Sequence, residues 1–328
     1  MTERDLINQT IDLISTLKSR EKIALSRIIT CRMDLLRITG SFLCQFTGRR
    51  PGLKESIERL AERAEKMLEG CDRDRIGCLS VDDEDYPANL AATSDRPFRI
   101  YYRGVAPRRD MEGIAVVGTR LPTAQAKAEA FRMGMELASL ECPLISGLAL
   151  GIDGEAHKGA LEGRGNTIAV LGSGIDLITP DRNRRIGREI LERGGTILSE
   201  YAPGTPGAPW RFPARNRIIA GLAQTVVVIQ APRKSGALIT ADFALEEGRD
   251  VVVTPAGVWA EGTAGLIHAG APVVESAFDI LKGLNIDTEG WESPELPEPA
   301  DRNDLVSYMD RELKGEVICH GGRYYRVS

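Results

Sequence analysis

The sequence has few of the residues that build metal centres and disulfide frameworks: three histidines and six cysteines in 328 residues. Cys31, Cys44, Cys71, Cys78, Cys142 and Cys319 are scattered and form no C-x-x-C pair. That spacing argues against a zinc site and reads as free thiols in a reducing compartment. Aromatic residues make up only 5% of the chain, which disfavours a β-sandwich core. Positive charge is not in excess: 42 Lys and Arg stand against 47 Asp and Glu, for a net charge of −5. A protein that coats nucleic acid with its whole surface is therefore excluded, and any polyanion site must be a local basic patch. Long apolar runs are absent too. The most apolar stretch, 225–231, falls far short of a membrane span, and the start, MTERDLINQT, predicts no signal peptide. These features lead us to expect a cytoplasmic protein.

What is present is a globular composition: 42% hydrophobic residues, 27% charged residues and 34 glycines. Apolar positions at helical spacing (Leu6, Ile7, Ile11, Ile14, Leu17; then Ile57, Leu60, Ala61, Ala64, Leu68) predict a helical module over about 1–75, broken at Gly48–Gly52. From about 112 to 282, short apolar runs alternate with helical stretches. Strands are expected at 114–117, 144–146, 167–171, 196–198, 225–229 and 251–254. Helices are expected at 122–140, 153–163, 183–193, 236–247 and 276–282. Runs apolar on both faces and joined by helices imply right-handed crossovers and a doubly wound, Rossmann-like parallel sheet in a domain spanning 76–285. A Pro- and acid-rich linker over 286–301 precedes a helix near 304–313 and a Gly321-Gly322 hairpin.

Ligands of such sheets bind beyond the carboxyl ends of the strands, so the residues after each strand carry the functional reading. The first strand ends in Gly118-Thr119-Arg120, the second in Ser146-Gly147 and Gly151, and the third in Gly172-Ser173-Gly174. Glycine lets the backbone approach an anion, helix-start amides point at it, and an arginine adds a forked contact. Neither a Walker A loop nor G-x-G-x-x-G is present, so no cofactor is expected. Asp153 is expected to cap its helix, and His157 to be structural rather than part of a site. The acid-free segment 205–221 carries Arg211, Arg215 and Arg217 interleaved with Trp210 and Phe212. Basic groups among aromatics suit single-stranded nucleic acid, with a surface loop plugging a core gap as the other reading. Asn216, if buried, would tie loop backbones together. After the fifth strand, Arg233, Lys234, Ser235 and Gly236 offer a further anion seat, with Ser235 as helix cap. Asp153 and Asp176 are the only acids beside a glycine turn, and no nucleophile–base–acid set stands out.

The strings VVGTR (116–120), SGLALGIDGEAHKGAL (146–161), IAVLGSGIDLITP (168–180), FPARNRIIAGL (212–222) and SGALITADFALEEGRDVVVTPAG (235–257) resemble the DNA-processing protein A (DprA/Smf) family, and DEDYPANL and FRIYYRG resemble its lead-in. The resemblance implies an extended Rossmann domain that binds single-stranded DNA without catalysis, dimerises and hands the strand to the recombinase RecA in natural transformation. It marks Arg120 as a phosphate-binding arginine and Phe212 as a base-stacking ring, with Arg215, Asn216 and Arg217 in the same signature. Leu150 and Pro209 depart from basic residues common at those positions. Ala264 replaces an Asn, and 302–328 resembles only the last helix and wing of a winged-helix module. Two other functions remain open: a hydrolase related to nucleoside phosphoribohydrolases, whose P-G-G-x-G-T loop and catalytic Glu are not found, and a protein-binding adaptor that has lost DNA affinity.

Overall fold

The computed structural model describes residues 2–286, 288 and 291–327. Eight strands form one sheet: β1 (Gly77–Ser80), β2 (Arg99–Gly104), β3 (Ile114–Val117), β4 (Leu144–Ser146), β5 (Thr167–Leu171), β6 (Thr196–Ser199), β7 (Thr225–Val228) and β8 (Asp250–Val253). Their order is β1-β2-β6-β5-β4-β3-β7-β8. The six strands from β6 to β8 are mutually parallel, whereas β1 and β2 pair antiparallel at one edge. The strand order reverses between β3 and β7, which is the topological switch point of a doubly wound sheet.

Alternation along each strand sends neighbours to opposite faces. Ala115, Val117, Val226 and Val228 meet the helices Arg211–Leu222 and Gly236–Glu246, whereas Ile114, Val116 and Val227 meet Ala124–Ser139 and Ile152–Glu162. Both faces are covered, as the continuous apolar runs required. Strand limits follow the sequence closely, but the segment beginning at Arg211 is a helix and not a loop. Its apolar residues Ile218, Ile219 and Leu222 are buried. The helix Glu261–His268 and the edge strand β1 also went unpredicted.

Five helices between Glu3 and Arg73 form the amino-terminal module. Buried polar groups dock it on the sheet edge. Gln9 Nε2 donates to the Tyr101 hydroxyl (2.8 Å), which donates to Asp12 Oδ2 (3.0 Å), while Asn8 Nδ2 donates to Ser80 Oγ (3.1 Å). At the other end, β9 (Val317–His320) and β10 (Arg323–Arg326) form a hairpin after the helix Arg302–Leu313. Tyr325 and His320 of that hairpin pack on Phe131 of the helix Ala124–Ser139. Among the described residues, no helix is long and apolar enough to cross a membrane.

Candidate nucleic-acid interface

The carboxyl ends of β5, β4, β3, β7 and β8 lie side by side along one edge of the sheet. The turn after β3 holds Gly118, Thr119 and Arg120. Thr119 is buried, and its amide donates to Gln230 O after β7 (2.8 Å). Gln230 Oε1 in turn accepts from the Thr123 amide (3.0 Å). Gln230 thus stitches the two sides of the switch point together. A Cβ on Gly118 would lie 2.5 Å from Ile152 Cγ1, so this glycine serves helix–strand packing. Arg120 is exposed and makes no hydrogen bond or ion pair among the described residues.

The loop after β4 is held from three sides. Asp153 Oδ2 accepts from the Gly147 and Ala149 amides (3.1 and 3.3 Å). Asn183 Nδ2 donates to Leu148 O and Ala149 O (3.0 and 2.8 Å). Arg215 Nη1 donates to Gly147 O (2.7 Å) and also to Val170 O. These bonds sustain a backbone in which the buried Leu148 sits at φ 55° and Gly151 at φ 81°, a region that costs free energy for leucine. Gly151 is the N-cap of the next helix, so the expected capping role of Asp153 is corrected: its carboxylate ties down the loop instead. A Cβ on Gly151 would fall 2.9 Å from Arg120 Cα, so this loop supports the Arg120 turn directly.

Several residues expected to contact DNA are turned into the protein in this structure. Arg215 is only 5% exposed, and its guanidinium fills the space a Gly147 side chain would need (2.5–2.8 Å). Arg217 donates to Glu200 (2.6 Å) and pairs with Asp95 (2.9 Å), tying the end of β6 to the connector. Asn216 Nδ2 donates to Gly236 O (3.1 Å), and its Oδ1 accepts from Arg215 Nε (3.2 Å). Ser146 is buried and donates to Val116 O (2.6 Å). These side chains lie near the expected edge but turn inward onto the protein's own loops. A polar group in such a helix must satisfy loop carbonyls before it can serve a ligand.

Gly172 meets Phe212: its Cβ would lie 2.7 Å from the ring, which is half-buried on that turn. Arg211 donates to Pro206 O and lies over the Tyr201 ring at 4.9 Å. Trp210, in contrast, is 71% exposed and plugs no gap. Beyond β7, Ser235 accepts from the Ala237 amide (3.3 Å), as the expected cap does. Gly236 is exposed there, Arg233 pairs loosely with Glu261 (3.6 Å), and Lys234 is exposed without a described partner. Of the two acids beside glycine turns, Asp153 holds the β4 loop and Asp176 Oδ1 accepts from the Gly204 amide (2.8 Å). Among the described residues, no group of three or more His, Cys, Asp or Glu side chains gathers to hold a metal.

Burial pulls Arg215 down to about 10, Asp153 opposes this, and Arg120 adds to it. Burial raises Asp153, against the pull of Arg215. The exposed Arg120 and the buried Arg215 thus repel each other, while Asp153 attracts Arg215. His157 is fully buried with Nδ1 2.7 Å from Thr167 Oγ1, and burial lowers it to about 3. It is a structural group, neutral at physiological pH. Sequence reasoning missed the work of Gln230 and Asn183. A polar residue closing the apolar run 225–229 was the available signal for the former, while nothing local marked the latter.

Comparison with known proteins extends this picture. The family model described as DNA recombination-mediator protein A matches residues 77–285. "Protein Smf" of Synechocystis is 41% identical over 71% of this chain and 60% of its own length; the Escherichia coli Smf is 39% identical over 67% and 59%. The chain thus spans about 60% of the length of these relatives. "DNA processing protein DprA" of Streptococcus pneumoniae is 40% identical over 62% of this chain and 72% of its own. The solved structure of DprA from that organism superposes with a TM-score of 0.67 at 31% identity, covering 86% of this chain and 98% of its own. A Helicobacter pylori DprA, whose structure is described as showing a single-stranded DNA binding mode, gives 0.57 at 29% identity over 64% and 96%. The matched span contains the whole glycine-lined edge described above, and on these grounds the chain belongs to the DNA recombination-mediator protein A family.

Proposed function

We propose that this protein binds single-stranded DNA along the carboxyl edge of its sheet and carries out no reaction on it. The observation that carries the reading is the placement of Arg120: exposed, unpaired and braced by the Gly151 loop, on the same edge as the half-buried Phe212 ring. Arg120 neutralises a phosphate and Phe212 offers a face to a base, a combination that suits an unpaired strand. Arg215, Asn216, Arg217 and Ser146 act as positioning residues that hold the turns. Gly118, Thr119, Gly147 and Gly172 shape the backbone, while Arg233, Lys234, Ser235 and Gly236 extend the cationic edge beyond β7. The single-stranded DNA named for the Helicobacter pylori relative supports the same ligand here. Dimerisation, transfer of the strand to RecA, a cytoplasmic setting and a remnant winged-helix piece at 302–328 complete the proposal, on family likeness alone.

The test is an electrophoretic shift with single- and double-stranded oligonucleotides of one length. Preferential shift of the single strand, weakened by Arg120→Ala and by Phe212→Ala, is the expected result. No shift with either probe overturns the reading and favours a protein-binding adaptor, to which the loss of basic residues at Leu150 and Pro209 also points. Release of free base from nucleoside monophosphates would instead establish a hydrolase.

A further inference from the structure

Trp259 is 93% exposed, although the turn that carries it is held by several hydrogen bonds. Thr263 Oγ1 donates to Gly257 O (2.5 Å) and contacts Ala260 O (3.1 Å). The buried Glu129 accepts from the Ala256 amide (2.9 Å). Ala231 O, in the loop after β7, accepts from the amides of Gly262 and Thr263 (2.9 and 3.1 Å). That loop is stitched through Gln230 to the Arg120 turn. An unbroken series of hydrogen bonds therefore links the Trp259 turn to the proposed DNA edge. A single exposed leucine needs no explanation. A tryptophan presented to solvent on a hydrogen-bonded turn, on the edge that carries the unpaired cations Arg120 and Lys234, is a preorganised contact surface.

We propose that Trp259 is a second base-stacking platform, across the switch point from Phe212, with Arg120 and Lys234 holding phosphates between the two rings. Phe212 packs at the end of β5 and Trp259 follows β8, strands that stand four spacings apart in the sheet, about 19 Å between their axes. Both cations lie on the strand ends between them, and neither has an ion-pair partner among the described residues. Glu261 is the acid on this stretch, and Arg233 answers it at 3.6 Å. A base stacks on either ring regardless of its identity, so the ligand class is unpaired polynucleotide with no sequence preference.

This inference rests on the reading under Proposed function, and the experiment separates the two. The chain has three tryptophans: Trp210, Trp259 and Trp291. Intrinsic fluorescence is followed while a twenty-residue oligothymidylate is added to the full chain and its variants. Quenching is expected in the unsubstituted protein. Trp259→Phe should lose much of that quenching and keep the Kd within about twofold, because phenylalanine still stacks. Trp259→Ala should weaken binding about tenfold, within the range of one lost stacked base. An unchanged Kd in Trp259→Ala, with Arg120→Ala impaired, overturns this inference and leaves the DNA-binding reading standing. Absence of binding by the unsubstituted protein overturns both. Light scattering covers the other occupant of the surface: if Trp259→Ala changes the oligomeric state and not the Kd, Trp259 is a protein contact and the proposal fails.

Discussion

Arg215 shows how one buried side chain can organise a whole sheet edge. It ties the β4 loop to the end of β5 and stays charged beside Asp153. Asp153→Ala removes the acceptor for two loop amides and the countercharge together. Each buried amide left without its acceptor costs about 1–3 kcal/mol, so denaturant titration should show a loss on the order of 2–5 kcal/mol. His157 makes the fold sensitive to acid. Its folded value lies near 3 against 6.5 for an unperturbed histidine, so the unfolded chain binds a proton that the native state refuses. Its contribution is fully present above about pH 6.5 and is lost as the pH falls towards 3. The slope is about 1.4 kcal/mol per pH unit. His157→Asn, which can keep the Nδ1 contact with Thr167, should flatten that dependence in thermal melts recorded between pH 4 and 7. The type and position of these residues were legible in the sequence, but their direction was not. Arg217 reads as a free cation until Glu200 and Asp95, distant in the chain, are folded against it.

The elements bear this out at larger scale. Strands β3, β4 and β5 were readable to the residue, because short, mainly apolar runs of three to five residues between turn signals have no other stable place than a covered sheet. The helix Arg211–Leu222 was not, because its proline and alternating arginines imitate a loop and its helical face is set by what it packs on. Gly172 gives a test at this scale. A methyl group there would press on the Phe212 ring at 2.7 Å. Gly172→Ala should therefore reduce affinity for oligothymidylate through displacement of Phe212, with little change in far-ultraviolet circular dichroism. Phe131 is the aromatic anchor of the carboxyl-terminal hairpin: it stacks on His320 at 3.8 Å and meets Tyr325 at 5.4 Å. Phe131→Ala should cost about 3–5 kcal/mol and raise hydrogen exchange across 317–326 before the sheet itself is affected.

For the whole molecule, a net charge of −5 means that a local row of cations must work against the field of its own body. If Arg120, Arg233 and Lys234 each neutralise one phosphate, log K should fall by about 2 per decade of salt, at about 0.7 per phosphate. Arg120→Ala should lower that slope by about 0.7, measurable by titration between 50 and 200 mM salt. The sequence by itself determined the doubly wound sheet, its glycine-lined edge and the family, because apolar periodicity and glycine turns are local properties of the chain. Only the tertiary structure decided which arginines face solvent and which satisfy buried carbonyls. That choice depends on partners brought together from β4, β5, β6 and the connector, and no window of neighbouring residues contains them.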